Sequence, residues 1–270
     1  MVLFPNCKLN LGLNIIGKRT DGYHELETVF YPLHLNDVIE VIENPAFHFS
    51  TSGFNIDGDD ETNLCIKAYQ LLKNDFPSLP PVQMHLHKAI PVGAGLGGGS
   101  ADGAFTLTLL NKKFDLGLSE KQLADYSLQL GSDCPFFIIN KPCFATGRGE
   151  MLERIHVDLT NYKILLVHPG IHVSTTWAFS KIDPCRSPVS IPEIIQQPIH
   201  TWKKDLKNDF EEPVFNKYPD IKNIKEKLYN GGAIYASMSG SGSTVYGIFK
   251  KEKDISISFP KNYFTKTLYC

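Results

Sequence analysis

A chain of 270 residues, 42% apolar and 21% charged, can bury a full core and suits one large or two modest domains. That composition excludes a disordered or low-complexity protein. The net charge of −2 gives no electrostatic basis for binding nucleic acid or an anionic membrane, so any phosphate must be held locally, by backbone amides and a few bases.

Cysteines stand at 7, 65, 134, 143, 185 and 270, with no C-x-x-C pair and no zinc pattern with histidine. Met1-Val2-Leu3-Phe4 meets Pro5, Asn6 and Lys8 too soon for a signal peptide. No uncharged apolar run approaches the roughly 18 residues of a membrane span. The expectation is a reduced, cytoplasmic protein with free thiols.

The first forty residues read as sheet. Cys7, Leu9, Leu11, Leu13 and Ile15 alternate with Lys8, Asn10, Gly12 and Asn14, the period-two pattern of a half-buried strand. Asp21-Gly22 signals a turn, and Leu26, Thr28, Phe30 and Leu33 mark a second strand. Residues 37–43 supply a third, and 44–60 read as loop with room for one short strand. Asn63 caps a helix carrying Leu64, Ala68, Leu71 and Leu72 on one stripe, ended at Phe76-Pro77. Residues 82–88 alternate again and run into 91–100, followed by a helix from Ala101 to about Lys112 that is apolar on most sides. Ser119 and Gln122 form a capping box for a third helix, which stops at Gly131.

In the second half, 163–168 is a strand closed by Pro169-Gly170, and 174–182 looks helical. Pro184, Pro188, Pro192 and Pro198 make 183–200 a long surface connection. Ile221, Ile224 and Leu228 mark a helix that Gly231-Gly232 terminates. Residues 233–238 and 244–249 are strands flanking Ser239-Gly240-Ser241-Gly242-Ser243. This order is α+β, with a boundary near 150–160 that divides the chain into domains 1–155 and 156–270.

The segment Pro91-Val92-Gly93-Ala94-Gly95-Leu96-Gly97-Gly98-Gly99-Ser100 carries the chemistry. Glycines between a strand and a helix let the backbone approach an anion and aim successive N–H groups at it. The positive end of the following helix adds to the attraction, and Ser100 can offer a hydroxyl to a phosphate or a magnesium ion. A flexible linker would mix in more polar residues. Gly93 to Gly98 satisfies G-x-G-x-x-G, and Asp115 lies about twenty residues on, but Asp115 follows a helix directly, with no strand to set it beside a ribose. A Walker A reading fails because no Gly-Lys-Ser/Thr follows.

The pattern Pro91-x-x-x-Gly-Leu-Gly-Gly-Gly-Ser100 resembles the central motif of the galactokinase, homoserine kinase, mevalonate kinase and phosphomevalonate kinase (GHMP) superfamily. Cys7-Lys8-Leu9-Asn10-Leu11 and the 239–243 loop match its flanking motifs. Several further features fit the branch of that superfamily that phosphorylates a cytidylylated methylerythritol in non-mevalonate isoprenoid biosynthesis. They are Arg19-x-Asp21-Gly22-Tyr23-His24-Glu25-Leu26, Gly131-Ser132-Asp133-x-Pro135-Phe136-Phe137, Gly147-x-Gly149-Glu150 and His168-Pro169-Gly170. The resemblance spans roughly residues 5 to 250. It implies a two-domain fold, the N-terminal domain ribosomal-protein-S5-domain-2-like and the C-terminal one ferredoxin-like, with the active site in the cleft between them.

It also implies ATP and Mg2+, and a small-molecule substrate that carries a cytidine diphosphate group and accepts a phosphoryl group on its 2-hydroxyl. Asp133 would be the general base, and Lys8 would lie between it, the hydroxyl and the moving phosphoryl group. By themselves, Asp133 reads as a turn or cap residue and Lys8 as a solvated strand residue. Pro91, Gly93, Gly95, Leu96, Gly97, Gly98, Gly99 and Ser100 would hold ATP, with Asn63 and Lys88 at the adenine. Tyr23 would stack on the cytosine, His24 would read its edge, and Phe179 would cover the other face. Asn10, Gly240 and Gly242 complete the substrate contacts. The family carries Ser-Ser after the triple glycine where this chain has Ser100-Ala101, which leaves Ser100 as the candidate magnesium oxygen. Cys134, beside the base, reads as packing.

Among remaining residues, His85 and His87 share a strand face without a third metal ligand, and Lys250, Lys251 and Lys253 read as a solvated edge. No heptad or exposed apolar stripe appears, so a monomer or weak homodimer is expected. The rivals are a superfamily kinase for another alcohol such as homoserine or mevalonate, an NAD-dependent oxidoreductase, and a non-catalytic nucleotide-binding module.

Overall fold

The computed structural model describes residues 1–56, 62–184 and 189–270. In chain order the strands are β1 (Val2–Leu3), β2 (Asn6–Lys18), β3 (His24–Asn36), β4 (Val38–Glu43), β5 (His48–Gly53), β6 (Val82–Lys88), β7 (Cys143–Thr146), β8 (Met151–Arg154), β9 (Tyr162–His168), β10 (Tyr235–Met238), β11 (Val245–Lys250) and β12 (Phe264–Tyr269). The helices are α1 (Leu64–Asp75), α2 (Gly98–Lys113), α3 (Glu120–Leu130), α4 (Cys134–Ile139), α5 (Thr175–Phe179), α6 (Ile191–Ile195), α7 (Ile199–Asp205), α8 (Glu211–Lys217) and α9 (Pro219–Asn230). The fold is α+β, as the element order implies.

The chain forms two compact units that interleave along the sequence. The first comprises Met1–Cys7, His34–Val92 and Gly97–Lys141; the second comprises Lys8–Leu33, Gly93–Leu96 and Pro142–Cys270.

In the first unit a sheet of order β1-β4-β6-β5 is antiparallel except for the parallel β5/β6 pair. Its inner residues Ile39, Val41, Met84 and Leu86 join Leu72, Leu107 and Leu110 of α1 and α2 in one core. Helix α2 has Ala104, Thr106, Leu107 and Leu109 all buried, which is why its sequence shows no polar face. It starts at Gly98 rather than Ala101, so Gly98, Gly99 and Ser100 form its first turn. Asn63 caps α1 through Oδ1, which accepts from the Cys65 N–H at 2.9 Å. The buried stripe of α1 runs through Cys65, Ala68, Tyr69 and Leu72, leaving Leu64 and Leu71 half-buried. The Ser119/Gln122 capping box opens α3. His85 bonds Ser50 and Ser52, and His87 bonds Ser52, each at 2.9 Å across the parallel ladder.

In the second unit, β10-β11-β9-β12 form one antiparallel sheet, and β2-β3-β7-β8 form another. The alternation in β2 does not mark a solvated face, since Lys8, Asn10 and Asn14 are buried along with Leu9, Leu11 and Leu13. Segment 206–209 runs beside that strand, the Leu13 N–H donating to Lys207 O at 2.8 Å and Asp209 N–H to Leu13 O at 2.9 Å. The Leu206 and Ile191 side chains lie against Gly12 on the polar face, and Lys8 and Asn10 are buried there with hydrogen-bond partners.

The prolines of 183–200 do not make a surface connection. Pro192 and Pro198 stand at the starts of α6 and α7, where a missing N–H costs nothing. Ile191, Ile194, Ile195, Ile199 and Trp202 are buried. Pro188, Cys185 and residues 57–60 of the 44–60 loop lie outside the described residues. The expected helix at 174–182 contracts to α5, capped by Ser174.

Trp202 distinguishes a core segment from a surface connection. It is 1% exposed, meets Tyr235 edge-on at 5.7 Å, and its indole N–H donates to Gln197 O at 3.0 Å. Trp202→Ala is expected to lower unfolding free energy by about 3–5 kcal/mol in urea titration; a surface role would leave the midpoint unmoved.

Candidate active site

Strand β2 brings Lys8 and Asn10 to the interior of the second unit. Lys8 is 4% exposed, its ammonium donating to Asn10 Oδ1 at 2.6 Å and lying 4.6 Å from the Phe30 ring centroid. The Lys8 N–H donates to the carbonyl of Leu96, 2.9 Å away in the glycine segment. Ser239 Oγ donates to Gly95 O at 2.9 Å and receives the Asn10 N–H at 3.3 Å. A Cβ on Gly240 would lie 3.5 Å from Asn10 Oδ1. Lys8, Asn10, Gly95, Leu96 and Gly240 therefore converge, and Ser239 links them. Ser239 carried no signal in the sequence beyond membership of a glycine–serine loop.

Other residues hold that loop from below. Asn208 Nδ2 donates to Met238 O at 2.8 Å and Gly240 O at 2.9 Å, and Ser243 Oγ donates to Ile171 O at 2.5 Å. Ser243 also bonds His168 Nδ1 at 3.2 Å. Burial holds His168 below the ordinary histidine range, so the ring is neutral at neutral pH.

A second cluster in the same unit gathers the aromatic residues. His24 and Phe179 stack with centroids 4.8 Å apart and planes at 22°, and Phe210 backs Phe179 edge-on at 4.8 Å. Partial burial, and then the charge of Lys18, depress the His24 pKa, leaving one ring nitrogen to donate and the other to accept. Tyr23 is not in this stack; it is 55% exposed, with the Arg148 guanidinium 4.9 Å from its ring centroid. Arg148 was not anticipated, because it occupies the variable position of Gly147-x-Gly149-Glu150.

In the first unit, the first turn of α2 is built for an anion. Gly97, at the N-cap with φ +73°, supplies no side-chain cap, and the Gly98, Gly99 and Ser100 N–H groups precede the first intrahelical donor, Ala101, whose N–H reaches Gly97 O at 2.9 Å. A Cβ on Gly98 would crowd Ile90 at 3.0 Å, whereas one on Gly99 would meet nothing within 4 Å. The bare, open backbone at Gly99 suits a phosphate group. Burial pushes the pKa of the Cys134 thiol up to about 12; Cys134 is thus a neutral packing group. Its neighbour Asp133, half-exposed, occupies the N-cap of α4.

The positions expected at the adenine are engaged locally. Asn63 caps α1, and the buried Lys88 ammonium pairs with Asp37 and, at 2.6 Å, with Asp102. Asp37 also accepts the Ala89 and Ile90 N–H groups at 2.6 and 2.8 Å. Burial opposes the Lys88 charge, but the two carboxylates outweigh it and raise its pKa. Burial likewise lifts Asp102 to about 7, against the pull of Lys88. Nothing in the local sequence marked Asp37 or Asp102 as Lys88's partners.

Comparisons with known proteins show the family. The model of the GHMP kinases N terminal domain matches residues 63–141, and that of the GHMP kinases C terminal domain matches 190–257. A Bacteroides fragilis (strain YCH46) protein named 4-diphosphocytidyl-2-C-methyl-D-erythritol kinase is 52% identical over 260 residues, 95% of this chain and 94% of that protein. The chain belongs to the 4-diphosphocytidyl-2-C-methyl-D-erythritol kinase family of GHMP kinases. A Cytophaga hutchinsonii protein of the same name is 50% identical, with 94% of each chain covered. The crystal structure of a 4-(cytidine 5'-diphospho)-2C-methyl-D-erythritol kinase superposes with a TM-score of 0.82 at 27% identity, covering 100% of both chains. Among the described residues, no helix of the protein is long and apolar enough to cross a membrane.

Lys88→Met separates an ion-pair role from a ligand contact. Removing the cation strands two buried carboxylates, so the variant is expected to lose about 3–5 kcal/mol of stability at neutral pH in chemical denaturation. Unchanged stability with a raised KM for ATP would assign the ammonium to the nucleotide instead.

Proposed function

We propose that the protein transfers the terminal phosphoryl group of ATP to the 2-hydroxyl of 4-diphosphocytidyl-2-C-methyl-D-erythritol, releasing ADP, in non-mevalonate isoprenoid precursor biosynthesis. The observation that carries this reading is the roughly half-identity, over nearly the whole chain, to kinases of that name. The ring pair His24 and Phe179 supports a substrate that carries a base. Homoserine or mevalonate would leave those rings without a ligand.

In this reading the amides of Gly98, Gly99 and Ser100 receive the nucleotide's phosphates, with Pro91, Gly93, Gly95, Leu96 and Gly97 shaping the approach. Asn63 and Lys88 stand toward adenine, through the Asn63 carboxamide N–H groups and the backbone beside Lys88. Asp133 accepts the proton of the 2-hydroxyl, and Lys8 stabilises charge on the phosphoryl oxygens in flight. Asn10, Gly240 and Gly242 contact the substrate's polar groups; Tyr23, His24 and Phe179 hold its cytosine. The half-exposed position of Asp133 supports a base that meets a substrate from solvent. Magnesium would neutralise phosphate charge, with Ser100 as a protein oxygen. Among the described residues no group of three or more His, Cys, Asp or Glu is gathered for a metal, which suits an ion carried by the nucleotide.

A reducing, cytoplasmic setting fits the free thiols of Cys7, Cys65, Cys134, Cys143 and Cys270. We further propose that the family's N-terminal and C-terminal domains correspond to 1–155 and 156–270, and that the protein acts as a monomer or weak homodimer.

Coupled ADP release with ATP, magnesium and 4-diphosphocytidyl-2-C-methyl-D-erythritol, beside homoserine and mevalonate, tests the reaction. Turnover is expected with the cytidylylated alcohol alone, and Asp133→Asn is expected to lower kcat by about 10²–10⁴-fold. Turnover on homoserine or mevalonate alone would overturn the substrate, and an undiminished Asp133→Asn would overturn the base.

A further inference from the structure

We propose that Thr28 is a positioning residue for Lys8, setting the ammonium's place through the side-chain amide of Asn10. This rests on the proposed role of Lys8 in phosphoryl transfer.

The argument follows hydrogen-bond direction. Thr28 is fully buried on β3, and its hydroxyl has one proton and two acceptor lone pairs. That proton goes to the carbonyl oxygen of Gly12, 2.6 Å away. Asn10 Nδ2 lies 3.0 Å from the same hydroxyl oxygen. An oxygen whose proton is spent can only accept, so it selects the NH2 end of the Asn10 amide. The carbonyl end is then turned toward Lys8, whose ammonium donates to it at 2.6 Å. A flipped amide would set NH2 against the ammonium, donor facing donor.

The rest of Asn10 is pinned independently. Its N–H donates to Ser239 Oγ at 3.3 Å, and its carbonyl receives the Tyr246 hydroxyl at 2.8 Å. Backbone position is therefore held from β11 and the 239–243 loop; of the groups that bear on the sense of the amide, Thr28 is nearer, at 3.0 Å from Nδ2, than the Ser239 hydroxyl, 3.5 Å from Oδ1. Asn10 is 2% exposed, so water does not substitute for the missing partner. The expected consequence is specific: without the Thr28 hydroxyl the protein still binds ATP, but the ammonium is misplaced when the phosphoryl group moves.

Thr28→Val keeps the side chain's shape and removes its oxygen; Thr28→Ser keeps the oxygen. Thr28→Val is expected to lower kcat by about 10–100-fold, with KM for ATP changed less than about threefold and circular dichroism unaltered. Thr28→Ser is expected to recover most of that loss. The loss should vanish in a Lys8→Met background, since a residue acting only through Lys8 has nothing left to position. Equal losses with and without Lys8, or no rescue by serine, would overturn the proposal in favour of packing alone. Wild-type turnover decides the underlying reaction separately, and the variants are assayed on whichever alcohol it accepts. A crystal structure of Thr28→Val decides the point even without turnover: an unmoved Lys8–Asn10 pair would refute it.

Discussion

The backbone at Gly95 passes so near the 239–243 loop that a Cβ there would stand 2.2 Å from the Ser239 carbonyl oxygen. Its φ of +78° is left-handed as well, so the position admits glycine on two counts. On this approach depend the Ser239–Gly95 bond and the Thr244 N–H bond to Ala94 O at 3.1 Å. Through Ser239 it reaches Asn10, and through Leu96 it reaches Lys8. Three segments from the start, middle and end of the chain are thus registered by backbone groups and short side chains. Such groups lose little rotamer entropy on ordering, which makes them suitable for holding a lysine in one place.

The glycine segment, the capping signals and the helix periods were legible because each has a local cause. Asn63, Ser119 and Gly131 mark helix ends through bonds made within four residues. Strand β2 was misread in one respect only: alternation reports chemistry, whereas burial is decided by what covers the second face. Here that cover is segment 206–209, nearly two hundred residues away. The prolines of 183–200 misled for a similar reason, since a proline that opens a helix looks the same as one that bars it. Lys8, Asn10, Gly95 and Gly240 come together in the second unit. Ser239, Thr28, Asp37 and Asp102 were invisible because their roles exist only through partners distant in sequence.

Lys88 shows how a buried ion-pair cluster can tie separate elements of one unit together. Asp37 precedes β4, Lys88 ends β6, and Asp102 lies one turn into α2, so the ion pairs fix the strand's end against the start of that helix. Burying three ionisable groups is costly, and their mutual attraction roughly offsets it. The two carboxylates are not equivalent. Asp37 takes two backbone N–H groups besides Lys88, while Asp102 Oδ1 has no hydrogen-bond partner. Burial raises Asp102 to about 7, so it is the carboxylate of the cluster that burial disfavours in its charged form.

The stacked His24 and Phe179 rings, as they stand, leave no room for a third ring between them. Carbon contacts of about 3.5 Å on each face would need the rings about 7 Å apart, against centroids now at 4.8 Å. Phe179 has little freedom to retreat, because Phe210, 2% exposed, stands edge-on behind it. His24 sits at the first residue of β3, after a turn whose ties are Arg19 to Asp21 at 3.1 Å and to Glu25 at 2.8 Å. These pairs are solvent-exposed and contribute little. Parting the rings is thus cheaper on the hairpin side, while the stack as it stands shields one face of each ring from water.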